Sequence, residues 1–264
     1  MHLLNANYTG LFAVVLGLIV FAVTHRKLLV RPVFFRLKAL LIFGILALPS
    51  VLFATYYLHL LPEREWFYEL RSWRGTEFLV VFLGAAAGAL ASLLPRAVLI
   101  VPLFGFMAAA MVPYLKPLMG PLADDDFREK WEGDACLQST LSTCGPASVS
   151  TIMRRLGLPV SEREVARAAF TYTGGTEAWY LARYVRSNGL HARFAFHKSF
   201  APSEELPAVV GVVVGNCGHF IAVLEVNNGQ VSFVDPMFGP EKLSLSDFKE
   251  RFTFTGFRLV IHKP

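Results

Sequence analysis

Cys144 is the residue in this chain whose surroundings best suit nucleophilic chemistry. It lies in the stretch CLQSTLSTCGPASV and is followed by Gly145 and Pro146. Proline is favoured in the first turn of a helix, so a helix is expected to begin at this cysteine. A thiol at a helix N-terminus lies at the positive end of the helix dipole, which favours the reactive thiolate. The spacing therefore predicts that Cys144 is a nucleophile.

Three further residues have the side chains that a thiolate nucleophile requires. His219 begins the apolar stretch GHFIAVL and can hold the proton, and Asp235 ends the next stretch, VSFVDP. In an antiparallel hairpin these two ends lie close together, so Asp235 can orient the His219 ring. Gln138, six residues before Cys144, can donate its side-chain amide to an oxyanion, alongside the Cys144 N–H.

With these residues the sequence resembles the bacteriocin-processing, or double-glycine leader, peptidases of the papain-like superfamily. The resemblance rests on Gln138, Cys144–Ala147, Gly218–Phe220 and Asp235-Pro236, and it covers about residues 134–262. It implies an α+β papain-like cysteine peptidase domain that needs no cofactor or metal. Cys144 would be the nucleophile, His219 the general base and acid, Asp235 the orienting group and Gln138 the oxyanion donor. The implied reaction is hydrolysis of a peptide bond through a thioester.

Two other functions remain open. An acyl or amide transferase would use the same groups, with an amine in place of water attacking the thioester. A non-catalytic peptide-binding module would serve as an accessory to a membrane partner such as a peptide exporter. Exporter-fused family members carry an ATP-binding module, and this sequence has no G-x-x-x-x-G-K-[ST] motif. The expected partners are thus a peptide or protein substrate, the lipid bilayer and, for the accessory module, an exporter.

The other cysteines permit two structural interpretations. A zinc site from Cys136, Cys144, Cys217 and His219 has suitable ligands, but its spacings match no common zinc motif. Cys136 lies two residues before Gln138, and Cys217 two before His219, so in extended chain each points the same way as its neighbour. Because both neighbours are expected near Cys144, we predict a Cys136–Cys217 disulfide, which suits an oxidising compartment.

Around these residues, the pattern predicts helices followed by strands, which is typical of an α+β domain. Helices are expected at about 144–157, 161–170 and 176–188, with a short one near Ser244 or Ser246; strands are expected at about 191–197, 208–214, 218–226, 230–235 and 254–262. Ser161 with Glu164 predicts a capping box, and Thr176 an N-cap. The NNG sequence at 227–229 predicts a hairpin turn. Gly174-Gly175 is interpreted as a turn and not as a self-cleavage site.

The first half of the chain predicts an all-α bundle of four transmembrane helices. Of all 264 residues 54% are apolar and 17% charged, which exceeds the apolar share of soluble proteins. Apolar stretches at about 8–24, 39–61, 78–94 and 97–115 are each long enough to cross a bilayer. We therefore expect a transmembrane domain over 1–118, a linker over 119–133 and a peptidase domain over 134–264. The aspartates at 124–126 in this linker are expected to be solvated.

The distribution of charge predicts the orientation of these helices. Residues 1–120 carry ten Lys and Arg against four Asp and Glu, and residues 121–264 carry fifteen against sixteen. The excess positive charge belongs to the membrane half, so it does not indicate a nucleic-acid surface. The first loop contains Arg26, Lys27, Arg31, Arg36 and Lys38, which predicts that it lies in the cytoplasm. Four spans then place the catalytic domain outside a bacterial-type inner membrane.

Gly84 and Gly88 form a G-x-x-x-G pair in the third apolar stretch. Such pairs allow helix backbones to approach closely. Packing within the four-helix bundle is the expected role, with a helix-dimer face as the alternative.

Overall fold

The structure, a computed structural model, describes residues 6–57, 60, 62–197, 199–200 and 206–264. The chain divides into two compact units. The N-terminal unit contains residues 7–63 and 74–116, and the C-terminal unit consists mainly of residues 64–73 and 117–264. The short internal segment 64–73 therefore belongs to the same unit as the C-terminal half of the chain.

Within the described residues the chain forms nine α-helices and eight β-strands. The helices are α1 (Tyr8–Leu29), α2 (Val33–Tyr57), α3 (Glu65–Ser72), α4 (Val80–Leu93), α5 (Ile100–Met119), α6 (Cys144–Arg155), α7 (Glu162–Ala168), α8 (Ala178–Ser187) and α9 (Leu245–Arg251). The strands are β1 (Lys130–Glu132), β2 (Ala135–Leu137), β3 (His191–Phe196), β4 (Ala208–Val214), β5 (Cys217–Asn227), β6 (Gln230–Asp235), β7 (Gly239–Ser244) and β8 (Thr253–His262).

Four helices of the described residues are long and apolar enough to cross a bilayer. With the short 3-10 turns that precede α4 and α5, they are Tyr8–Leu29, Val33–Tyr57, Thr76–Leu93 and Arg96–Met119. The second begins at Val33 and not at residue 39, because Pro32 favours the start of a helix directly after it. Its expected end at residue 61 lies outside the described residues. Large apolar side chains cover the outer surface of these helices, as lipid contact requires.

Glycines bring α1 and α4 into backbone contact. A Cβ atom at Gly84 would lie 2.2 Å from the Gly17 carbonyl oxygen, and one at Gly88 would lie 2.4 Å from the Phe21 carbonyl oxygen. Neither position can hold a larger side chain without moving the helices apart. The G-x-x-x-G pair thus packs within the bundle, as expected from the sequence.

The end of this bundle that carries the first loop is basic. Arg36 donates from Nη1 to the Ser92 carbonyl oxygen at 2.7 Å and from Nη2 to the Leu29 carbonyl oxygen at 2.5 Å. Both carbonyls lie at helix C-termini, where the carbonyl oxygens have no intrahelical donor and attract positive charge. The C-terminal ends of α1 and α4 therefore meet at the N-terminal part of α2.

The C-terminal unit has the predicted α+β fold, in which helices come first and an antiparallel sheet follows. The sheet has six strands in the order β3-β8-β4-β5-β6-β7, and every neighbouring pair is antiparallel. The sequence pattern missed β7 and the small β1–β2 pair. The segment expected to be a linker, 119–133, contains β1, and its Leu122 and Phe127 are buried against Ala166.

Three local predictions can be compared with this unit. Half of the predicted capping box is present: the Ser161 side chain accepts from the Glu164 N–H at the start of α7, but the Glu164 carboxylate binds the Tyr184 hydroxyl. Asn228 and Gly229 have positive φ angles in the β5–β6 hairpin, which confirms the turn. The prediction that Thr176 is an N-cap is wrong, because α8 begins after Glu177 and the Thr176 hydroxyl hydrogen-bonds Thr171 instead.

The helix α3 packs on α8 and on the edge strand β3. The Phe194 N–H donates to Glu69 Oε1 at 3.0 Å, and the Phe196 N–H donates to Glu65 Oε1 at 2.9 Å. Arg186 donates from Nη2 to Glu69 Oε2 at 2.5 Å, and the Tyr68 ring contacts the rings of Phe194 and Phe196. The two glutamates, one helical turn apart, thus bind main-chain donors that an edge strand leaves unpaired.

Candidate active site

Cys144 is the first residue of α6 and is buried. The helix begins there because Pro146 favours its first turn, and Gly145 allows close packing. A Cβ atom at Gly145 would lie 3.0 Å from Leu181 and 3.3 Å from Phe220, which is closer than most such contacts. This glycine lets α6 approach β5, which carries His219. The first main-chain N–H groups of α6 have no intrahelical acceptor, so they are available near the thiol.

His219 and Asp235 lie at the same end of the sheet. His219 is near the start of β5 and Asp235 ends β6, and these strands are antiparallel neighbours. His219 Nε2–H donates to Asp235 Oδ1 at 2.9 Å, and the Met237 N–H donates to the same oxygen at 2.9 Å. Both side chains are buried. Since Nε2 is bound to Asp235, Nδ1 is the ring nitrogen left for Cys144, which lies close enough to raise the pKa of His219.

The protonated form of His219 is stabilised by both neighbours. Burial disfavours the imidazolium, but hydrogen bonds and Coulombic attraction to Asp235 and Cys144 outweigh it and raise the pKa of His219 to about 9. Burial also opposes ionisation of Asp235, yet hydrogen bonds from His219 and Met237 lower the pKa of this carboxyl. The arrangement therefore favours an imidazolium at His219, held by an ionised Asp235.

Gln138 lies next to these groups through its main chain. Its N–H donates to the Pro236 carbonyl oxygen at 2.9 Å, directly after Asp235. The Gln138 side chain has a buried amide oxygen with no hydrogen-bond partner in the part of the chain that the structure describes. Amide oxygen and nitrogen are told apart only by their partners, so this side chain has hydrogen-bonding capacity left for a ligand.

The predicted disulfide is wrong in this structure. Cys136 is buried and its N–H donates to Thr151 Oγ1 at 2.9 Å, so this residue packs against α6. Cys217 is exposed, and both thiols are free. Extended-chain alternation placed each cysteine on the side of its neighbour, but Cys217 is the first residue of β5 and is exposed, although His219 two residues later is buried. No group of three or more potential metal ligands occurs among the described residues.

Glu162 is a residue near the site that the sequence did not indicate. It is fully buried at the start of α7, and its Oε1 accepts from the Ser139 N–H at 2.8 Å. Burial raises the pKa of Glu162, and hydrogen bonds from Ser139 and Thr143 act in the opposite direction. Its partners lie about twenty residues earlier in the chain, so no local pattern could identify the contact.

A model of the Peptidase C39 family matches residues 125–264, which is more than half of the chain. The chain belongs to the peptidase C39 family. This confirms the resemblance to double-glycine leader peptidases and identifies a cysteine-peptidase-like domain. The match begins at residue 125, within the segment expected to be a linker.

Two archaeal relatives resemble this C39 domain. An uncharacterized protein of Methanothermobacter thermautotrophicus is 30% identical over 128 residues, covering 48% of this chain and 87% of that protein. A second, from Methanothermobacter marburgensis, is 30% identical over 126 residues, covering 48% of this chain and 86% of that protein.

Solved C39 structures are also similar. The peptidase domain of Streptococcus ComA, a bifunctional ABC transporter of a quorum-sensing pathway, is 21% identical with a TM-score of 0.42, covering 48% of this chain and 96% of that one. A double-glycine motif protease of an AMS/PCAT transporter, in complex with the leader peptide, is 21% identical with a TM-score of 0.42, covering 48% and 89%.

Proposed function

We propose that this C39 protein is a membrane-anchored cysteine peptidase that hydrolyses a peptide bond of a peptide or protein substrate. The observation that carries the proposal is the position of His219, which hydrogen-bonds Asp235 and lies close enough to Cys144, at the start of α6, for this cysteine to raise its pKa. Family membership supports the same chemistry. No cofactor or metal takes part in the proposed reaction.

The residues act in sequence. The Cys144 thiolate attacks the carbonyl carbon of the scissile bond, and the resulting oxyanion accepts hydrogen bonds from the Cys144 N–H and the Gln138 amide. The His219 imidazolium donates its proton to the leaving amine, which departs and leaves a thioester on Cys144. His219 then takes a proton from water, which attacks the thioester. The new carboxylate product departs, and the thiolate and imidazolium are restored. Asp235 keeps the ring oriented and stabilises its positive charge.

The packing of α3 supports a proposal for the location of the C-terminal unit. Because α3 binds α8 and β3, the segment between the second and third apolar helices must lie on the same side of a bilayer as the peptidase domain. Two apolar helices separate that segment from the domain along the chain, so both of them cross the bilayer or neither does. The basic first loop belongs on the cytoplasmic side. These points support a multi-pass inner-membrane protein with an extracytoplasmic catalytic domain.

Peptide-bond hydrolysis can be tested without a known substrate. The full-length protein in lipid nanodiscs would be incubated with a proteome-derived peptide library, and new amino termini would be identified by mass spectrometry. We expect new termini with the wild type and none with Cys144→Ala. Products in which the acyl fragment is joined to an added amine would favour a transferase. Equal product patterns from both proteins would contradict catalysis by Cys144.

Alkylation separates an enzyme from a peptide-binding module. We expect iodoacetamide to label Cys144 faster than a free model thiol below pH 8, and His219→Ala to remove this advantage, because an ion pair supplies the thiolate. Labelling at the rate of a free thiol would favour the exporter-accessory module. Measurements would use Cys217→Ser, which removes the exposed thiol.

The exposed thiol of Cys217 provides a test of sidedness. In a Cys144→Ala background, a membrane-impermeant maleimide should label Cys217 in right-side-out vesicles and not in sealed inverted vesicles. Cys217→Ser is the control for other sites. The opposite labelling pattern would place the domain in the cytoplasm, where leader-peptide processing by an exporter partner would become the better proposal.

A further inference from the structure

Glu162 is a buried carboxylate for which the proposed reaction has so far no use. It is fully buried, and no ion pair involving it occurs among the described residues. A buried charge without a cation has to be compensated by hydrogen bonds. The groups that supply these hydrogen bonds therefore identify what the carboxylate holds in place.

Two of the groups belong to Ser139. The Ser139 N–H donates to Glu162 Oε1 at 2.8 Å, and the Ser139 hydroxyl hydrogen-bonds Glu162 Oε2. The Arg128 N–H donates to this hydroxyl oxygen at 2.9 Å, so the hydroxyl proton is directed to the carboxylate. The Thr143 side chain lies near the carboxylate as well and acts to lower the pKa of Glu162, while its hydroxyl donates to the Thr140 carbonyl oxygen at 3.0 Å.

These partners flank the segment that would bind the oxyanion. Ser139 directly follows Gln138, and Thr143 directly precedes Cys144. Glu162 from α7 thus holds the chain directly after Gln138, and hydrogen bonds between Thr140 and Thr143 hold the turn directly before Cys144. The Gln138 N–H is fixed separately by the Pro236 carbonyl. The contacts restrict how far the Gln138 amide can move relative to the Cys144 N–H.

We propose that Glu162 is a positioning residue for the oxyanion site. It holds the 138–144 segment so that the Gln138 side chain and the Cys144 N–H point to the same substrate oxygen. This inference rests on the proposed function, since it assumes that an oxyanion forms there. A displacement of about 1 Å at such a site costs about 100-fold in rate.

Two reactions of Cys144 separate positioning from general damage. With p-nitrophenyl acetate, the thiolate adds to the ester carbonyl, and the oxyanion then collapses to a thioester and expels p-nitrophenolate. Iodoacetamide instead alkylates the thiolate: the sulfur displaces iodide at a saturated carbon, so no oxyanion forms. Both rates would be measured on the full-length Cys217→Ser protein in nanodiscs, followed by nitrophenolate absorbance and by mass spectrometry.

We expect Glu162→Ala to lower the acylation rate about 100-fold and Glu162→Gln about 10-fold, because the amide still accepts from the Ser139 N–H. Alkylation should change by less than about twofold in each. A proportional loss of both rates in the Gln variant, or unchanged acylation, would overturn the inference. Should Glu162→Ala not fold, Glu162→Gln and Ser139→Ala carry the same test.

A double-mutant cycle adds a second criterion. Gln138→Ala alone should lower acylation about 100-fold or more. In that background Glu162→Ala should cost less than about twofold further, because the group that it positions is gone. Fully multiplicative losses would contradict a role through Gln138. The control is Glu164→Gln on the same helix, whose carboxylate binds the Tyr184 hydroxyl at 2.7 Å and should leave both rates unchanged.

The two proposals fail in different ways. If the wild type is not acylated at Cys144, as judged against Cys144→Ala, the proposed peptidase is wrong. If the wild type is acylated and the Glu162 variants match it, only the positioning role is wrong.

Discussion

The N-terminal helices and the C-terminal unit differ in the groups that each buries between its own elements. Between α1 and α4 the two backbones come into contact beside buried apolar side chains, because Gly84 and Gly88 have no side chain to separate the helices. In the C-terminal unit, charged side chains are buried as hydrogen-bonded groups, as with His219, Asp235 and Glu162. Lipid is as apolar as leucine, so helices within it associate through close packing. A water-exposed unit can instead bury polar groups for chemistry, provided that each has partners.

This difference predicts which substitutions each unit tolerates. Removing a charge or a hydrogen-bonding group should affect the C-terminal unit, whereas adding volume at a glycine should affect the helices. The following predictions run from the largest expected effect to the smallest.

Replacing His219 should produce the largest loss. His219→Ala removes the proton donor and the partner of the Cys144 thiolate, so acylation by p-nitrophenyl acetate should fall about 10³-fold. The matched control is His262→Ala, since His262 is an exposed residue stacked on His191 at the far edge of the sheet. Similar losses in both variants would show that the effect is not specific to the site.

The His219–Asp235 pair should make stability depend on pH. The pKa of His219 is about 9 in the folded protein and 6.5 in the unfolded chain, so protonated His219 stabilises the folded state fully below about pH 6.5. This contribution is lost as the pH rises through about 9. The lowered pKa of Asp235 acts in the other direction, so its contribution disappears only as the pH falls below about 4. We therefore expect Asp235→Asn to lower the free energy of unfolding more at pH 6 than at pH 9.

Urea unfolding followed by tryptophan fluorescence would measure this difference. Both proteins would be compared at the two pH values under the same salt concentration. An equal effect of Asp235→Asn at pH 6 and at pH 9 would contradict a stabilising imidazolium.

Adding volume at the α1–α4 contact should destabilise the helices. In Gly84→Val the new side chain meets the Gly17 backbone, and overpacking of this kind costs about 1–3 kcal/mol. Gly44→Val is the control, because a Cβ atom at Gly44 meets nothing within 4 Å. The melting temperature in detergent should fall for Gly84→Val only. Equal stability of the two variants would mean that α1 and α4 do not meet at Gly84.

Neutralising Glu69 should loosen α3 from the sheet edge. Glu69→Gln weakens the interactions with Arg186 and with the Phe194 N–H, and the expected cost is about 1–2 kcal/mol. Glu250→Gln, at an exposed position, controls for the change in net charge. Hydrogen exchange of the Phe194 and Phe196 amides should become faster in the Glu69 variant alone. Unchanged exchange would contradict the docking of α3.

Reductant should have no effect on the thiol count. With Cys136 buried and Cys217 exposed, we expect three free thiols after denaturation, whether or not the protein was first treated with a reductant. Maleimide mass tagging would measure this in protein isolated from its native membrane. A count of one free thiol without reductant would restore the disulfide prediction.

The sequence was most informative where a signal is local. Cys144 at the start of a helix followed from the Gly-Pro pair, and the hairpin between β5 and β6 followed from the NNG turn. This turn fixes the two strands as antiparallel neighbours, so His219 and Asp235 come to the same end of the sheet. The four apolar helices were also evident, because their length and composition need no knowledge of tertiary contacts.

Other features depended on contacts between distant parts of the chain. β7 was missed because its Gly-Pro-Glu-Lys sequence has weak strand propensity, and pairing with β6 determines it. The predicted disulfide between Cys136 and Cys217 was wrong because alternation along a strand tells on which side of the strand a side chain lies, but not whether that side chain is buried or exposed. The helix α3 was also not predicted, because its contacts are with α8 and β3, more than a hundred residues later in the chain.

The sequence by itself determined the types, order and spacing of the site residues, the antiparallel strands that carry two of them and the apolar helices, because all of these depend on neighbouring residues. Only the tertiary structure decided that Glu162 binds Ser139 directly after Gln138, that α3 covers the edge of β3, and that the cysteines stay apart. The physical reason is that such contacts join residues far apart in sequence, and their partners are selected by burial and hydrogen bonding in the folded chain.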